Sequence, residues 1–521
     1  MTNILDIKNL NIRYKSLFGY VEALKNLNFS LIAGEVVALV GESGSGKTSA
    51  GLAMMGLLGN NAKVSGYIDL YQKNHNILNY SETQWSQIRG LEMAMVFQDP
   101  MTSLNPYLTI GFQIMEPLLC HGVDKAQATQ QAIELLQQVE IANPHQALQS
   151  YPHQFSGGMR QRVVIAIALA AQPKILIADE PTTALDVITQ KQILKLFAKR
   201  IKNQQMGVVL ITHDLGIVAE LCNRVVVLKD GNVIEEANVP DIYSAPCHKY
   251  TKALLQAVAR IDAPSKVLPL SNNNVILNIS NVSVAYQNTK LSIFKSNKDV
   301  DVVSNIDLDI KYGEILGLVG QSGSGKSTLL KAIANLLPIK GGHINFADKS
   351  KHIQMVFQDP RSSLDSKMIA VDIIAEPLLN FKICSKDQAY KLALEMMKKV
   401  KLDIESANRF PHEFSGGQCQ RIGIARALIL KPSLLLCDEP VSALDVSIQA
   451  EILDLLIELQ QDLNLSMLFV SHDLAVVRSI AHRVAVMYRG QIVEVKSADD
   501  IYTKPTHNYT KELLSAIPVI P

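Results

Sequence analysis

Short apolar runs alternate along the chain with longer stretches of helical spacing. The apolar runs are only four or five residues long, as expected for strands buried on both faces; they include Val36–Val40, Ile175–Ala178, Val208–Ile211 and Val225–Leu228. Between them lie helical patterns such as 46–57 and 157–171. This alternation predicts an α/β fold built on a mainly parallel sheet.

The whole pattern occurs twice. ILDIKNLNIRY at 4–14 returns as ILNISNVSVAY at 276–286, and MVFQDP at 95–100 returns unchanged at 355–360. Even the ends of the copies match, since IYSAPCHKYTKALL begins at Ile242 and IYTKPTHNYTKELL begins at Ile501. Repetition over this length predicts two related domains in one chain.

The copies differ in length in two places. From the lysine of the glycine-rich motif to the glutamine of MVFQDP the chain advances 98 − 47 = 51 positions in copy one, but 358 − 326 = 32 in copy two. Copy one is therefore expected to carry an insertion within about 63–89, and copy two an extra stretch near 291–298. A polar segment with two prolines, DAPSKVLPLSNNN, predicts domains 1–261 and 275–521 joined by a linker at 262–274.

Composition narrows the class of protein. The 521 residues are 48% hydrophobic and 19% charged, and 50 basic against 49 acidic side chains leave a net charge of +1. Such a balance shows no large basic field for nucleic acid. Six scattered cysteines, without a CxxC pair, predict neither disulfides nor a zinc site. No signal peptide or membrane span is expected, so attachment to a membrane would need another chain.

Two glycine-rich motifs predict phosphate-binding loops. GESGSGKT and GQSGSGKS each follow an apolar strand and open a helix, the setting in which backbone amides and a helix N-terminus surround phosphate. Lys47 and Lys326 are expected to reach the β- and γ-phosphates of ATP, and Thr48 and Ser327 to bind Mg²⁺. The predicted nucleotide-binding residues are Gly41, Glu42, Ser43, Gly44, Ser45, Gly46, Lys47 and Thr48, with Gly320, Gln321, Ser322, Gly323, Ser324, Gly325, Lys326 and Ser327.

Each copy also contains an apolar strand that ends in two carboxylates, ILIADE and LLLCDE. Asp179 and Asp438 are expected to hold Mg²⁺. Glu180 and Glu439 are expected to orient or deprotonate the attacking water. An acidic strand end that merely faces solvent is the alternative, but its pairing with a phosphate loop in both copies favours catalysis.

FSGGM at 155–159 and FSGGQ at 414–418 add a motif that phosphate-loop proteins in general lack, and with it the chain resembles the ABC ATPases. The resemblance implies two cassettes, each with a mainly parallel core sheet, an antiparallel β subdomain and a helical subdomain that carries this signature. It also implies that the two cassettes pair within the chain, each signature contacting the γ-phosphate held by the other. The signature residues are Ser156, Gly157 and Gly158, with Ser415, Gly416 and Gly417.

Further positions match the family one by one. Gln98 and Gln358 resemble the glutamine that touches metal and water, and His213 and His472 resemble the histidine that contacts the γ-phosphate. The remaining matches are Asp186 and Asp445 in the ALDV segments, and Tyr14 and Tyr286 for stacking on adenine. Met159 replaces the consensus glutamine, and no essential position is missing from either copy. Both sites are therefore expected to hydrolyse ATP.

Finer features resemble the peptide/nickel importer group of ABC ATPases. These are QDPMTSLNP after Gln98, YPHQFSGGMRQR, and the HxYTxxLL tails. Copy one resembles the D-type and copy two the F-type subunit of such systems, fused in one chain. The resemblance implies two integral-membrane permease subunits that dock near Gln98 and Gln358, a substrate-binding protein, and a peripheral place on the cytoplasmic face of the inner membrane. QDPRSSLDSK at Gln358 departs from the usual form, and no iron–sulfur cluster is expected.

Two other functions fit the catalytic motifs. A tandem ABC protein that acts on ribosomes or DNA would ordinarily carry a long charged linker or inserted cysteine pairs, and neither occurs here. An exporter ATPase would share every catalytic motif, and only the tails argue for import. The sequence does not identify the transported substrate.

Overall fold

The computed structural model describes residues 3–16, 19–183, 185–259, 261, 263, 265–270, 272–286, 300–347 and 353–518. The chain divides into two compact units. Unit 1 is Met1–Gln256 with Ile517–Pro521, and unit 2 is Ala257–Ala516. The extra stretch predicted near 291–298 lies outside the described residues, as do positions 262, 264 and 271 of the predicted linker.

Unit 1 combines short buried strands with helices. Its strands β1 to β9 are Asn3–Ser16, Gly19–Ile32, Val36–Val40, Ala62–Leu70, Met93–Val96, Ile175–Asp179, Gly207–Ile211, Arg224–Lys229 and Asn232–Asn238. Its helices α1 to α11 are Lys47–Met54, Glu82–Ile88, Pro100–Ser103, Ile110–Cys120, Lys125–Gln138, Pro144–Leu148, Gly157–Leu169, Val187–Gln204, Leu215–Leu221, Val239–Ser244 and Lys249–Ala257.

The strands of unit 1, as far as the structure describes them, form one sheet in the order β4-β1-β2-β9-β8-β3-β7-β6-β5. Strands β5, β6, β7, β3 and β8 run parallel, whereas β1 pairs antiparallel with both β2 and β4. The carboxyl ends of the parallel strands share one edge, where ligands bind in open α/β sheets.

Unit 2 repeats this arrangement. Its strands β10 to β18 are Val275–Tyr286, Val300–Lys311, Ile315–Val319, Gly341–Phe346, Ile353–Val356, Leu434–Asp438, Ser466–Val470, Arg483–Tyr488 and Gln491–Ser497. Its helices α12 to α19 are Lys326–Ile333, Ala370–Asn380, Lys386–Lys399, Gly416–Leu428, Val446–Leu463, Leu474–Ile480, Ala498–Thr503 and Asn508–Ser515. No helix in the described ranges is both long and apolar enough to cross a bilayer.

The core sheet of unit 2 has the order β14-β15-β16-β12-β17-β18, and β11-β10-β13 form a separate antiparallel sheet. The core order is the same as β5-β6-β7-β3-β8-β9 of unit 1. The predicted α/β fold with a mainly parallel core sheet and antiparallel strands beside it is therefore confirmed in both copies.

The predicted elements agree closely with those observed, and the differences lie at the ends of the elements. The strand predicted at Val36–Val40 is β3 without change, while the helix predicted over 46–57 is the shorter α1. Gly56 adopts a φ of 63°, a left-handed conformation, and its amide bonds to the carbonyl of Ala53. A left-handed glycine just past the last turn ends a helix.

The insertion predicted in copy one folds against the end of α1. Within the predicted range 63–89, β4 is not inserted, because it pairs with β1 as β13 pairs with β10 in unit 2. The inserted part follows β4 and contains a 3₁₀ turn at Ile77–Asn79 and α2, which Ser81 and Gln84 begin with a capping box. Trp85, the only tryptophan of the chain, is buried beside Gly56. Arg89 donates from Nε to the carbonyl of Met55 at 3.0 Å, so the insertion caps the last turn of α1.

The predicted linker is attached to unit 2 where it is described. The amide of Lys266 donates to the carbonyl of Ser479 at 2.9 Å, and Arg478 Nε donates to the carbonyl of Ala263 at 3.0 Å. The carbonyl of Leu268 lies 2.9 Å from His482 Nε2. A polar, aperiodic sequence therefore runs along the end of α17.

Candidate active sites

The phosphate loop of unit 1 lies between β3 and α1, and its glycines are required by geometry. Gly41 has a φ of 151°, and a Cβ there would lie 2.1 Å from the carbonyl oxygen of Leu228. Gly46 has a φ of 98°, and a Cβ would lie 2.3 Å from that of Ala23. The buried Lys47 folds back, and its Nζ donates at 2.7 Å to the carbonyls of Gly41 and Glu42.

Unit 2 repeats this loop between β12 and α12. Gly320 has a φ of 156°, and a Cβ there would lie 2.2 Å from the carbonyl oxygen of Met487. Gly325, with a φ of 107°, precedes the buried Lys326, whose Nζ donates to the carbonyls of Gly320 and Gln321 at 2.7 and 2.9 Å. Both lysines therefore stand at the start of a helix with their ammonium groups held over the loop.

The middle of each loop is open to a ligand. Gly44 and Gly323 have φ values of 82° and 79°, and no heavy atom lies within 4 Å of a Cβ built on either. The predicted loop residues divide into a buried base and an exposed rim. The base includes Ser45, Gly46, Lys47, Ser324, Gly325 and Lys326, and the rim includes Ser43, Gly44, Thr48, Ser322, Gly323 and Ser327. An open rim over a cationic base fits a polyphosphate.

Asp179 and Asp438, at the ends of β6 and β15, fit a cation. Burial raises the pKa of Asp179 to about 6, although a hydrogen bond with Thr48 opposes the shift. Among the described residues, the buried Oδ1 of Asp179 has no hydrogen-bond partner. Asp438 accepts a bond from Ser327 Oγ at 2.9 Å, and burial raises its pKa as well. A buried carboxylate beside a hydroxyl is the oxygen donor set that Mg²⁺ uses in phosphate-loop enzymes.

Glu180 lies at the centre of a cluster of predicted catalytic side chains in unit 1. Gln98 donates from Nε2 to one carboxylate oxygen at 3.0 Å, and His213 Nδ1 lies 3.1 Å from the other. Burial alone would raise the pKa of Glu180, but its hydrogen bonds, first of all with His213, lower it overall. Its φ of 46° is left-handed, which is strained for a residue other than glycine.

Glu439 has the same two partners in unit 2, and both lie at one of its carboxylate oxygens, Oε2. Gln358 donates to its carboxylate at 3.0 Å, and His472 Nδ1 lies at 3.1 Å. Burial opposes a charge on His472, but the bond to Glu439 raises its pKa overall, and the pKa of Glu439 is correspondingly lowered. The φ of Glu439 is again 46°. The structure thus brings together, in each copy, the predicted glutamate, glutamine and histidine.

The signature residues stand at helix starts. Ser156 is the N-cap of α7 and accepts from the amide of Met159 at 3.3 Å. Ser415 is the N-cap of α15 and forms a capping box with Gln418. Gly157 faces open space. Each signature therefore presents a helix N-terminus, which favours an anion.

The remaining predicted positions lie at or near the ends of strands and helices. Tyr14, near the end of β1, and Tyr286, the last residue of β10, lie near the phosphate helix of their own unit. Tyr14 Oη is 3.1 Å from Ser49 Oγ, and Tyr286 Oη is 3.4 Å from Thr328 Oγ1. Asp186 and Asp445 are the N-caps of α8 and α16. Stacking on adenine is not tested by these contacts.

Sequence reasoning missed one residue at each phosphate loop. The amide of Glu42 donates to Tyr250 Oη at 3.1 Å, and the amide of Gln321 donates to Tyr509 Oη at 2.9 Å. Both tyrosines belong to the repeated HxYTxxLL tails. The repetition of those tails indicated that they matter to each copy. The tails are far from the phosphate loops in sequence, so the sequence alone did not indicate that the tyrosines contact the loops.

One arginine lies between the signature helix and the segment that follows Gln98 or Gln358, but in each copy it belongs to a different one of these two elements. In unit 1 it is Arg160, on α7, whose Nε donates to the carbonyl of Pro152 at 2.7 Å and whose guanidinium contacts Met101. In unit 2 the position of Met101 is occupied by Arg361, and that of Arg160 by Cys419.

The exchange preserves the contacts. Cys419 Sγ donates to the carbonyl of Pro411 at 3.4 Å, the counterpart of the Arg160 bond. Arg361 lies beside Cys419 and donates to the carbonyl of Phe414 at 3.4 Å. One guanidinium therefore fills this place in each unit.

Changing Cys419→Arg alone is expected to lower the melting temperature of the full chain by several degrees, because it sets a second cation against Arg361 at a buried position. Adding Arg361→Met should restore much of the loss, since the pair then matches copy one. Arg361→Met alone is the control. Strictly additive shifts in melting temperature would contradict the exchange.

Comparison with known proteins agrees with this geometry. The family described as "ABC transporter" matches residues 24–183 and 303–442, one region in each unit. The chain belongs to the ABC transporter family. A second family, "Oligopeptide/dipeptide transporter, C-terminal region", matches residues 234–282 and 493–521.

Curated relatives narrow this class. The chain is 42% identical over 563 aligned positions to the glutathione import ATP-binding protein GsiA of Escherichia coli (strain K12), with 99% of this chain and 90% of the relative covered. The same values hold for the GsiA protein of Shigella dysenteriae serotype 1. The chain is the ATP-binding and ATP-hydrolysing subunit of an ABC importer for peptides or peptide-like small molecules.

Solved structures with two cassettes share the fold. An archaeal ribosome recycling factor, aABCE1, matches 93% of this chain with a TM-score of 0.65 and 20% identity, and 90% of its own length is covered. A structure named RNase-L Inhibitor matches 94% of this chain, also at a TM-score of 0.65, with 19% identity. At such identity the likeness concerns the fold alone, so it does not favour a ribosomal function.

Proposed function

We propose that each unit binds one Mg-ATP at its phosphate loop, and that both sites hydrolyse it to drive import. The observation that carries this proposal is the cluster at the carboxyl edge of each core sheet. There a loop lysine, a buried aspartate and a glutamate held by glutamine and histidine adjoin one another. Both copies are complete, so neither is assigned a purely regulatory role.

The loop and the strand end divide the binding. Lys47 and Lys326 hold the β- and γ-phosphates, with the amides of the loop around them. Asp179 with Thr48, and Asp438 with Ser327, would hold Mg²⁺, with Gln98 and Gln358 beside it. When bound, the metal neutralises charge on the transferred phosphoryl group. The unpartnered Oδ1 of Asp179 supports this assignment.

Glu180 and Glu439 orient the attacking water and take up its proton. Their lowered pKa keeps the carboxylates ionised near neutral pH, which a proton acceptor requires. The glutamine and the histidine hold the carboxylate so that it cannot rotate freely. With nucleotide bound, His213 and His472 would contact the γ-phosphate.

The family pattern assigns the signature residues and the two tyrosines to the nucleotide sites as well. We assign Ser156, Gly157 and Gly158 to the nucleotide held by unit 2, and Ser415, Gly416 and Gly417 to that held by unit 1. Tyr14 and Tyr286 are assigned to the adenine. The open N-termini of α7 and α15 support a contact with phosphate oxygens.

The relatives support a proposal for the permease partners and the cargo. We propose that two integral-membrane permease subunits bind the chain near Gln98 and Gln358 on the cytoplasmic face of the inner membrane, and that a substrate-binding protein delivers the cargo. A small peptide of the size of glutathione is the proposed cargo, because the relatives named for glutathione import align over nearly the whole chain.

Purifying the chain from native membranes is expected to bring permease subunits with it, detectable by mass spectrometry. In lipid nanodiscs, the ATPase rate of that complex should rise several-fold with the loaded substrate-binding protein, because loading favours the closed state. Reduced glutathione, dipeptides and free amino acids are compared as cargo. The Lys47→Ala/Lys326→Ala variant is the matched control, and it should assemble without hydrolysing ATP.

Co-purification with ribosomes and without permeases would contradict the importer. A rate stimulated by dipeptides but not by glutathione would retain the importer and remove glutathione as its cargo.

A further inference from the structure

The C-terminal segment of each copy contacts its phosphate loop through a tyrosine hydroxyl. The amide of Glu42 donates to Tyr250 Oη on α11, and the amide of Gln321 donates to Tyr509 Oη on α19, at 3.1 and 2.9 Å. These partners are 208 and 188 residues apart in sequence. In both copies the bond reaches the second residue of the loop, so its position is specific.

In unit 1 the ring of Tyr250 is held beside the strand that supports the loop. Gly41 passes so close to the end of β8 that a Cβ would meet the carbonyl of Leu228. The next residue, Lys229, places its ammonium 4.8 Å from the centre of the Tyr250 ring, a cation–π distance. Ring and hydroxyl therefore join the strand end to the loop.

Unit 2 makes the same connection with a different side chain. Gly320 lies against the carbonyl of Met487 at the end of β17, and the next residue is Tyr488. The rings of Tyr488 and Tyr509 are stacked with their centres 4.1 Å apart. The contact partner has changed between the copies, while the place of the tyrosine has not.

The segment that carries each tyrosine is itself anchored by a carboxylate. Glu235, on β9, accepts from the amides of Cys247 and His248 at 2.7 and 3.0 Å and from Thr251 Oγ1 at 2.5 Å. In unit 2 the corresponding Glu494 of β18 accepts from the amides of Thr506 and His507 and from Thr506 Oγ1, at 2.8, 3.0 and 2.6 Å. The tail is thus fixed independently of the loop.

We propose that Tyr250 and Tyr509 are positioning residues for ATP: each hydroxyl fixes the entrance of its phosphate loop in the conformation that binds phosphate. The proposal rests on the assignment of these loops as the ATP sites. Loop amides surround phosphate only while several left-handed residues keep their conformation, and a bond at the second residue restrains the first turn. The C-terminal segment thereby contributes to nucleotide affinity.

The double variant Tyr250→Phe/Tyr509→Phe, which removes only the two hydroxyls, is expected to raise the KM for ATP and the Kd for a non-hydrolysable ATP analogue by about three- to tenfold, the effect of one hydrogen bond. The kcat should stay within about twofold, because the loop serves ground state and transition state alike. Steady-state kinetics and calorimetric titration of the full chain measure both.

The matched control is Thr251→Val/Thr506→Val, which removes hydroxyls from the same tails at their bonds to the anchoring carboxylates. It is expected to lower the melting temperature while leaving the KM unchanged. An equal rise in KM in the control would overturn the proposal, because attachment of the tail in general would then be the cause. An unchanged KM in the tyrosine variant would also overturn it.

Hydrogen exchange of the nucleotide-free chain gives a test that needs no activity. In the single variant Tyr250→Phe, peptides covering residues 41–48 should exchange faster, while those covering 320–327 serve as an unaltered reference in the same molecule. Tyr509→Phe should show the reverse. Equal exchange at both loops in each variant would refute a local restraint. The double variant Lys47→Ala/Lys326→Ala tests the assignment of the ATP sites apart from the proposal about the tyrosines. If this variant bound ATP normally, the loops would not be the ATP sites.

Discussion

Replacing Glu180 and Glu439 together with glutamine is expected to lower steady-state ATP hydrolysis by about 100-fold or more while ATP still binds. Glutamine keeps the length of the side chain and can still bond to the neighbouring glutamine and histidine, but it cannot accept the proton of the attacking water. Phosphate release gives the rate, and titration with ATP gives the affinity. If the cassettes pair as proposed, small-angle scattering should show compaction with ATP, because the closed state would no longer be reopened by hydrolysis.

The single variants Glu180→Gln and Glu439→Gln decide whether both sites turn over. Each is expected to lower the rate at least about tenfold, which corresponds to about 1.4 kcal/mol of transition-state stabilisation, since each supports its own hydrolysis step and closure links the two. Glu134→Gln, on the exposed face of α5, is the control and should leave the rate unchanged. Wild-type turnover in one variant with an inactive other would mean that one copy catalyses and the other regulates.

Changing Gly41→Ala or Gly320→Ala is expected to weaken binding of a non-hydrolysable ATP analogue by about 50-fold or more at the altered loop. The new methyl group would lie 2.1 or 2.2 Å from a backbone carbonyl oxygen, which has no room to move at a strand end. The loop itself must therefore shift, and its amide groups no longer converge on the phosphate. Calorimetric titration measures the number of sites as well as their affinity.

Gly122→Ala is the matched control for this effect. Gly122 has a left-handed φ of 84° in the turn after α4, but no heavy atom lies within 4 Å of a Cβ there. It should cost about 1–2 kcal/mol of stability from the backbone strain alone and leave nucleotide affinity unchanged. Unaltered affinity in Gly41→Ala would show that the loop tolerates a rearranged first turn.

Local sequence patterns sufficed to predict the core strands and the phosphate loops. The reason is that a short apolar run, or glycines before a lysine at a helix start, encodes its geometry within a few residues. The strand Val36–Val40 and the helix starts at Lys47 and Lys326 illustrate this. The roles of Gln98 and His213 came only from resemblance, since nothing local says that both meet Glu180.

What the sequence left open depends on contacts between distant segments. The bond from Glu42 to Tyr250 spans 208 residues, and no periodicity or spacing reports it. The left-handed φ of Glu180 is likewise imposed by its surroundings, because glutamate has no preference for that conformation. The sequence shows Arg160 and Arg361 as two separate differences between the copies. Only the structure shows that both arginines lie at the same place, so that the two differences form one exchange.

Trp85 gives the two units different optical properties. As the only tryptophan of the chain, it is buried against the end of the helix that begins at Lys47, with Arg89 stacked over its ring at 5.0 Å. Unit 2 has tyrosine and phenylalanine alone. Indole emission therefore originates entirely from the first unit, so that an unlabelled chain carries a native fluorophore in one unit and none in the other.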